Sequence, residues 1–288
     1  LKFKNILIVY NPSSQGGKSV NLFNEYLTII KKEGSPFTIF ETTGINDVEN
    51  IQEIISSNAF DLISIIGGDG TINITINGLQ DFGIPINIVP AGTGNDLARI
   101  LYGHLKIIDI LRLPFQYTKK VNIDIWSCNQ IRFINGFGAG FDGAIAEKIQ
   151  SKTFLFSSKT KYWIEIIKQI LFYRSPKVEI NGKKMSIFMI AAANGSDYGG
   201  GFKVAPLAKL DDKKLEYIQC NNIPILHRLY YLPLVQAGKH LSQKAITYKQ
   251  VNELTISSHQ PLPAHLDGEP LCEKSYHIKW GNQAQFLR

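Results

Sequence analysis

Asp69 stands inside Gly67-Gly68-Asp69-Gly70-Thr71, directly after the apolar run Leu62-Ile63-Ser64-Ile65-Ile66. The glycines leave a backbone that tolerates positive φ and the close approach of a ligand. A short apolar run, then this turn, then the helix-compatible segment Ile72 to Leu79 reads as strand, bare-backbone turn and helix N-terminus. That arrangement holds anions. A carboxylate at its centre repels phosphate unless a cation lies between them. The residue types together therefore point to a nucleotide-phosphate site with Mg²⁺. An ordinary βα turn with a surface Asp has the same local pattern, so the segment needs support from elsewhere in the chain.

Other segments offer that support. Asn11-Pro12-Ser13-Ser14-Gln15-Gly16-Gly17-Lys18 follows the first apolar run and brings hydroxyl, amide and backbone donors, with a cation at a helix start. It is not a P-loop, because Pro12 stands where that motif needs Gly. Pro90-Ala91-Gly92-Thr93-Gly94-Asn95-Asp96 joins glycines to an Asn/Asp helix cap. It fails as a dinucleotide fingerprint because Leu97 stands where a small residue is required. Asn194-Gly195-Ser196-Asp197-Tyr198-Gly199-Gly200-Gly201 is a glycine-rich turn that leads to Lys209-Leu210-Asp211-Asp212-Lys213-Lys214. Close Asp residues and loop carbonyls suit a hard cation. Leu266-Asp267-Gly268-Glu269-Pro270 places two carboxylates about one glycine, and one of them is suited to general-base work on a hydroxyl.

The elements that must position these residues change character along the chain. Strand patterns at Ile6 to Tyr10, Phe37 to Thr42, Leu62 to Ile66 and Ile86 to Val89 alternate with helix patterns at Lys18 to Glu33, Asn46 to Asn58, Ile72 to Leu79 and Asn95 to Leu101. Such alternation predicts an open, mainly parallel α/β sheet with helices on both faces and the ligand beyond the carboxyl ends of the strands. From about Val121 short strands dominate: Val121 to Trp126, Gln130 to Phe137, Lys177 to Ile180, Lys184 to Ala192, Leu215 to Gln219, Ala245 to Tyr248, Glu253 to Ser257 and Tyr276 to Trp280. Helices at about Lys159 to Leu171 and Ile225 to Leu241 interrupt them. We expect an α/β domain over 1–120, a β-sandwich over 121–280, and a tail, 281–288, whose return to the first domain the sequence leaves open.

Composition sets outer bounds. The 288 residues, 44% hydrophobic and 19% charged, give a globular chain with material for a core. The net charge of +7 is spread out, without the dense Lys/Arg block of a nucleic-acid binder, and suits ATP or anionic lipid headgroups. Cys128, Cys220 and Cys272 fit neither a zinc site nor a disulfide framework and read as buried or idle thiols of a reducing compartment. The first ten residues enter a strand at once, so no signal peptide is expected, and no apolar run reaches membrane-spanning length.

In their joint order these motifs resemble the diacylglycerol kinase catalytic-domain family, specifically its soluble bacterial lipid kinases, with sphingosine and ceramide kinases more distant. The resemblance rests on Asn11-Pro12 with Gly16-Gly17-Lys18, Gly67 to Asn73, Pro90 to Asp96, Asp124, Asn135 with Gly138, Gly140 and Asp142, Tyr198 to Gly201, Asp211-Asp212, and Asp267-Gly268-Glu269. It implies an α/β nucleotide domain followed by a β-sandwich, with the active site in the cleft between them. It implies ATP contacts at Asn11, Pro12, Ser13, Ser14, Gln15, Thr42, Gly68, Asp69, Gly70, Thr71, Ile72, Asn73, Ile74 and Thr93. Asp69, with Asp96 and Asp124, is then expected to organise catalytic Mg²⁺, and Glu269 to take the proton of the lipid hydroxyl. Asp212 with the carbonyls of Lys209 and Lys214 matches a structural metal site. Two positions depart from the family pattern: Ile74 replaces an acid, and Lys213 replaces Gly.

The expected activity is ATP- and Mg²⁺-dependent phosphorylation of a lipid hydroxyl, with diacylglycerol the default acceptor and phosphatidic acid the product. An NAD-kinase-like enzyme would share the Asp69 turn but lack the pairing of the Asn11-Pro12 loop with Asp267-Gly268-Glu269. A non-catalytic nucleotide- or lipid-binding relative would explain Ile74 and Lys213 but leaves the retained acids without a task. Phe154 to Tyr173 carries Phe154, Phe156, Tyr162, Trp163, Ile166, Ile167, Ile170, Leu171 and Phe172, with Lys152, Lys159, Lys161 and Lys168 among or beside them. That pattern suits either a helix resting on an anionic bilayer or one packed on the sandwich. The expected location is cytoplasmic, at the inner face of the membrane. Nucleic acid is not an expected partner, and the choice between monomer and homodimer stays open.

Overall fold

The structure is a computed structural model that describes residues 3–17, 19–116, 119–150 and 158–288. Lys18, Lys152, Phe154 and Phe156 lie outside the described residues, as do the side chains of Lys159, Lys161 and Tyr162. The chain divides into two compact units, Leu1–Ile125 with Gly281–Arg288, and Trp126–Trp280.

In the first unit the β-branched runs become the strands β1 (Ile6–Tyr10), β2 (Phe37–Glu41), β3 (Leu62–Gly67) and β4 (Ile86–Pro90). They pair in parallel in the order β4-β3-β1-β2. Every residue of β1 and β3 is buried, so both faces of the central sheet are covered. β2, at the edge, has no buried residue. The helices between them are α1 (Ser19–Glu33), α2 (Asp47–Ser57), α3 (Asp69–Gly78), α4 (Asp96–Tyr102) and α5 (Ile107–Arg112). The last of these has no counterpart in the pattern reading, being a six-residue helix too short to show a period. The final strand's Phe286 pairs in parallel with Ile86 and extends this sheet beyond β4.

The register decides where the loops go. Tyr10 is opposite Ile66 and Glu41, and Gly67 is opposite Pro90. Because the strands are parallel and end level, the segments beginning at Asn11, Thr42, Gly68 and Ala91 all leave the same carboxyl edge.

The second unit is β-rich. β5 (Lys120–Cys128), β6 (Ile131–Phe133), β7 (Gly136–Gly140), β8 (Lys177–Ile180), β9 (Lys183–Ala193), β10 (Leu215–Asn221), β11 (Ile246–Val251), β12 (Glu253–Leu266) and β13 (Glu269–Leu287) carry it, although β5 up to Ile125 and β13 from Gly281 belong to the first unit. The main antiparallel order is β11-β10-β9-β7-β12-β13. Three helices accompany it, α6 (Phe141–Gln150), α7 (Ser158–Phe172) and α8 (Ile225–Gln236). One core is built by Trp126, Phe133, Phe137, Tyr217 and Tyr276 among the strands. A second joins Ile166 and Ile170 of α7 and Tyr231 of α8 to Phe141, Phe188 and Cys220.

Three expectations are corrected here. Gln130 to Phe137 is not one strand. It breaks at Ile134–Asn135, because the Asp267 carboxylate captures the N–H groups of Ile134 (2.9 Å), Asn135 (2.8 Å) and Gly136 (2.8 Å). A carboxylate that accepts three backbone donors fixes a bend that a ladder would otherwise straighten. The last two strands are far longer than the sequence suggests, and α6 has no counterpart in the pattern. Its Phe-Asp-Gly-Ala start looks like a turn until packing on β12 is taken into account. The cysteines are all free. Cys128 and Cys220 are buried, burial pushing each thiol up to about 12, while Cys272 is exposed.

The Asp267 clamp generates a prediction. Asp267→Ala strands three partly buried N–H groups and should lower stability by about 2–4 kcal/mol. Asp267→Asn, which keeps one acceptor, should lose less. Chemical denaturation of the three proteins checks the order.

Candidate active site

At the carboxyl edge of the first unit two glycine turns touch through their backbones. A Cβ on Gly92 would lie 2.3 Å from Gly68 Cα, and one on Gly68 would lie 2.9 Å from Gly92 Cα. Backbone cannot move aside as a side-chain tip can, so both positions require glycine. The contact is reinforced by Ala91 N–H donating to Gly67 O at 2.8 Å. Asn95, at φ 52°, closes the second turn: it accepts from Gly92 N–H at 2.8 Å and donates to Gly92 O at 2.7 Å.

The Asn11 loop lies against the same place. Asn11 donates to Thr71 Oγ1 at 3.3 Å and accepts from Ser13 N–H at 2.9 Å, and the Gln15 amide donates to Gly92 O. Ser19 Oγ holds the loop's base by donating to Asn11 O at 2.8 Å. Pro12 and Ser14 are half-buried in this loop, while Ser13 and Gln15 are exposed. Thr42 N–H bonds Tyr10 O at 2.9 Å, and the turn after it is tied down by Asp47, which accepts from Thr43 and Gly44. Thr93 is exposed at the tip of the second glycine turn.

Helix α3 begins at this junction without a side-chain cap, since Gly68 has none to offer. Its first turn contains Asp69, Gly70, Thr71 and Ile72, with Asn73 and Ile74 half-buried behind them. An uncapped N-terminus with its positive dipole end exposes donors suited to an anion. Asp69 turns towards the start of α4: its Oδ1 accepts from Leu97 N–H at 3.4 Å. A Cβ on Gly94 would lie 2.8 Å from Asp69 Oδ2 and 3.8 Å from Asp96 Oδ2, so this glycine sits between the two carboxylates. Asp96 pairs with Arg99 at 2.8 Å. Asp124 is fully buried on β5 and accepts from the Gln283 amide at 2.9 Å. Gln283 escaped sequence reasoning because nothing local links it to a residue 159 positions away. Among the described residues no group of three His, Cys, Asp or Glu side chains is placed to hold a metal by itself. Asp69 and Asp96 are hard oxygen donors, and Mg²⁺ characteristically takes only one or two carboxylates together with phosphate and water.

The second unit holds the other site residues. Glu269 is exposed at the start of β13, immediately after the turn Asp267–Gly268, where φ is 52° and 92°. Asp142 on α6 stands 3.1 Å from His265 Nε2 and accepts from the Tyr198 hydroxyl at 2.8 Å. Burial works to raise the Asp142 carboxyl, but the facing His265 ring and the bonds from His265 and Tyr198 outweigh it and hold the group below the usual carboxylate range. His265 is a second residue that sequence reasoning missed. Its one signal is its place two positions before Asp267 on a strand. Asp212 accepts from Lys214 N–H at 3.1 Å in a tight turn, with Lys209 exposed nearby in sequence. Lys213 adopts φ 55° there, the left-handed conformation that glycine takes without strain. Its ammonium lies 5.0 Å from the Trp280 ring.

Between α7, α8 and the strands lies an apolar cavity of about 80 Å³. Ile166, Ile170, Phe188 and Val235 line it, and Asp142 and Tyr198 add polar groups to its wall. Helix α7 divides as its pattern allows: Ile166 and Ile170 face inward, while Trp163, Ile164, Ile167, Leu171 and Phe172 are exposed. Helix α8 adds exposed Leu226, Leu229 and Tyr230.

Known proteins share this organisation. Residues 5–124 match the diacylglycerol kinase catalytic domain, and residues 136–283 match the YegS C-terminal NAD kinase beta sandwich-like domain. The chain is 27% identical over 280 residues to a diacylglycerol kinase of Bacillus subtilis, covering 92% of this chain and 90% of the relative. It is 24% identical over 277 residues to the diacylglycerol kinase of Staphylococcus carnosus, covering 92% and 89%. A crystal structure of a diacylglycerol kinase from Bacillus anthracis superposes with a TM-score of 0.70 at 22% identity, covering 100% of this chain and 97% of the other, which shows a common fold. The chain belongs to the diacylglycerol kinase catalytic-domain family with a YegS-type C-terminal domain. It is a lipid kinase of that family, whose members use ATP.

The contact between the glycine turns can be tested directly. Gly92→Ala drives a methyl group into the Gly68 backbone and should cost about 1–3 kcal/mol of stability. It should also weaken ATP binding at least about tenfold, since about 1.4 kcal/mol of lost interaction has that effect. Thermal melting and titration calorimetry with ATP measure the two effects separately.

Proposed function

We propose that the protein transfers the γ-phosphoryl group of ATP to a lipid hydroxyl, with diacylglycerol as acceptor and phosphatidic acid as product. The observation that carries this reading is the junction of the Asn11 loop, the uncapped α3 N-terminus and the Gly92 turn, with Asp69 and Asp96 on either side of Gly94. In this scheme the backbone donors of Gly68 to Ile74 and the Asn11–Gln15 loop bind the phosphates, and Thr42 and Thr93 border the nucleotide. Asp69 and Asp96 would hold Mg²⁺, which neutralises phosphate charge when bound. Asp124, which accepts from Gln283, would be the third carboxylate of that Mg²⁺ network.

Glu269 takes the proton as the lipid oxygen forms its bond to the γ-phosphorus and the bond to the bridging oxygen of ADP breaks. A carboxylate suffices because phosphoryl transfer asks mainly for positioning and charge neutralisation. Asp212, with the carbonyls of Lys209 and Lys214, remains the proposed structural metal site. Lys213 occupies the left-handed position there, which lets the turn form without the family's glycine.

The acceptor's tail is assigned to the cavity beneath α7 and α8. That cavity is smaller than the several hundred Å³ usual for ligand pockets, so a chain enters as the covering helices give way. The exposed apolar faces of α7 and α8, beside the exposed Lys168 and Arg174, would rest on an anionic bilayer and deliver the lipid there. No described helix is long and apolar enough to cross a membrane.

Radiolabelled ATP, Mg²⁺ and mixed vesicles containing diacylglycerol test the activity. Label is expected in phosphatidic acid, with Asp69→Ala and Glu269→Gln reducing turnover by about 10²-fold or more. Label in no lipid, or in NAD when it is supplied, would sink the reading. Vesicles rich in anionic lipid should co-sediment the protein, less so as salt rises. Leu226→Glu with Phe172→Glu should weaken that binding without changing ATP affinity.

A further inference from the structure

Among the buried polar residues of the second unit to which the proposed chemistry gives no task, His265 stands nearest to Glu269 in sequence. His265, on β12, is 4% exposed. Its Nδ1 accepts the N–H of Gly268 at 3.3 Å, and its Nε2 lies 3.1 Å from Asp142 Oδ2. A ring nitrogen that accepts a backbone N–H carries no proton, so the imidazole holds its proton on Nε2 and donates it to Asp142. The Tyr198 hydroxyl donates to the same Asp142 oxygen at 2.8 Å, and its ring meets the imidazole edge-on at 5.5 Å. His265 therefore has one orientation and one tautomer.

The space around the pair has been cleared for it. Gly138 faces His265 across the β7–β12 ladder. A Cβ there would lie 2.3 Å from His265 Nε2 and 2.4 Å from Asp142 Oδ2. Any other residue at 138 would push the ring and the carboxylate apart.

The bond to Gly268 gives the arrangement a consequence for chemistry. Gly268 adjoins Glu269, and with Asp267 it forms a turn in which both residues have positive φ. The Asp267 carboxylate ties one side of that turn to Ile134, Asn135 and Gly136. His265 ties the other. We propose that His265 is a positioning residue: held by Asp142 and Tyr198, it fixes the Asp267–Gly268 peptide, one residue before Glu269, and so the direction in which Glu269 presents its carboxylate. Asp142 and Tyr198 also line the apolar cavity, so the same network joins the wall of that cavity to the turn that carries the base. This inference rests on the reading of Glu269 as proton acceptor, and the test separates the two.

Two near-isosteric variants divide the two bonds of His265. His265→Asn sets an amide oxygen near the Nδ1 position, keeping an acceptor for Gly268 and losing the reach to Asp142. His265→Gln reaches the Nε2 position, keeping a donor for Asp142 and losing the acceptor for Gly268. Steady-state kinetics on diacylglycerol vesicles and thermal melting are measured for both, beside Glu269→Gln. We expect His265→Gln to lower kcat by about ten- to a hundredfold with KM for ATP unchanged, the scale of a misplaced catalytic group. His265→Asn should recover most of that loss, although the two melt at similar temperatures. Losses of kcat that track melting temperature in both variants, or full turnover in His265→Gln while Glu269→Gln is inactive, overturn the positioning role alone. Full turnover in Glu269→Gln removes the proton-acceptor reading and this proposal with it.

Discussion

The carboxyl edge of the first unit depends on two backbones touching. Gly68 and Gly92 meet with no room for a Cβ between them. Everything else at that edge follows from the contact. It brings the start of α3 beside the start of α4, which sets Asp69 and Asp96 about Gly94. It also leaves a carbonyl at Gly92 for the Gln15 amide to find. Parallel pairing makes the contact available, because β3 and β4 end level and their loops leave on the same side. A sheet of mixed direction would have sent one of the two turns to the opposite edge.

The second unit solves a different problem with a different force. Its strands carry a tight reversal at Asp267–Gly268 in which the chain adopts two positive φ values in succession. Hydrophobic burial cannot hold such a turn, because the residues in it are small or charged. Hydrogen bonds can, and here they come from the turn's own carboxylate, whose bonds are charge-assisted, and from a histidine on the preceding strand. The apolar material is spent elsewhere, in the aromatic core between strands and in the thinner layer beneath α7 and α8. Those helices bury one apolar face and leave a second exposed, an arrangement a lipid kinase can use where its acceptor is dissolved in a bilayer.

The α/β alternation of the first unit was legible because its central strands, β1 and β3, are buried on both faces and each long helix shows a clear period. Leu62 to Thr71 announced strand, turn and helix in ten residues. The departures at Ile74 and Lys213 were visible too, and for Lys213 the structure supplies the physical answer, a left-handed backbone accepted without glycine. Less was legible in the second unit. The break between Phe133 and Gly136 is caused by a carboxylate more than 130 positions away in sequence. The length of β12 and β13 comes from pairing with each other, which charged and proline-bearing segments do not advertise.

Taken alone, the sequence determined residue types, their order and the local periods, and these settled the fold class and the family motifs, because backbone preference and side-chain pattern act over a few residues. Tertiary structure decided which of those residues meet. It placed Gly92 on Gly68, Gln283 on Asp124 and His265 between Asp142 and Gly268. Contacts of that kind depend on strand register and loop closure across tens to hundreds of positions, and no local pattern encodes them.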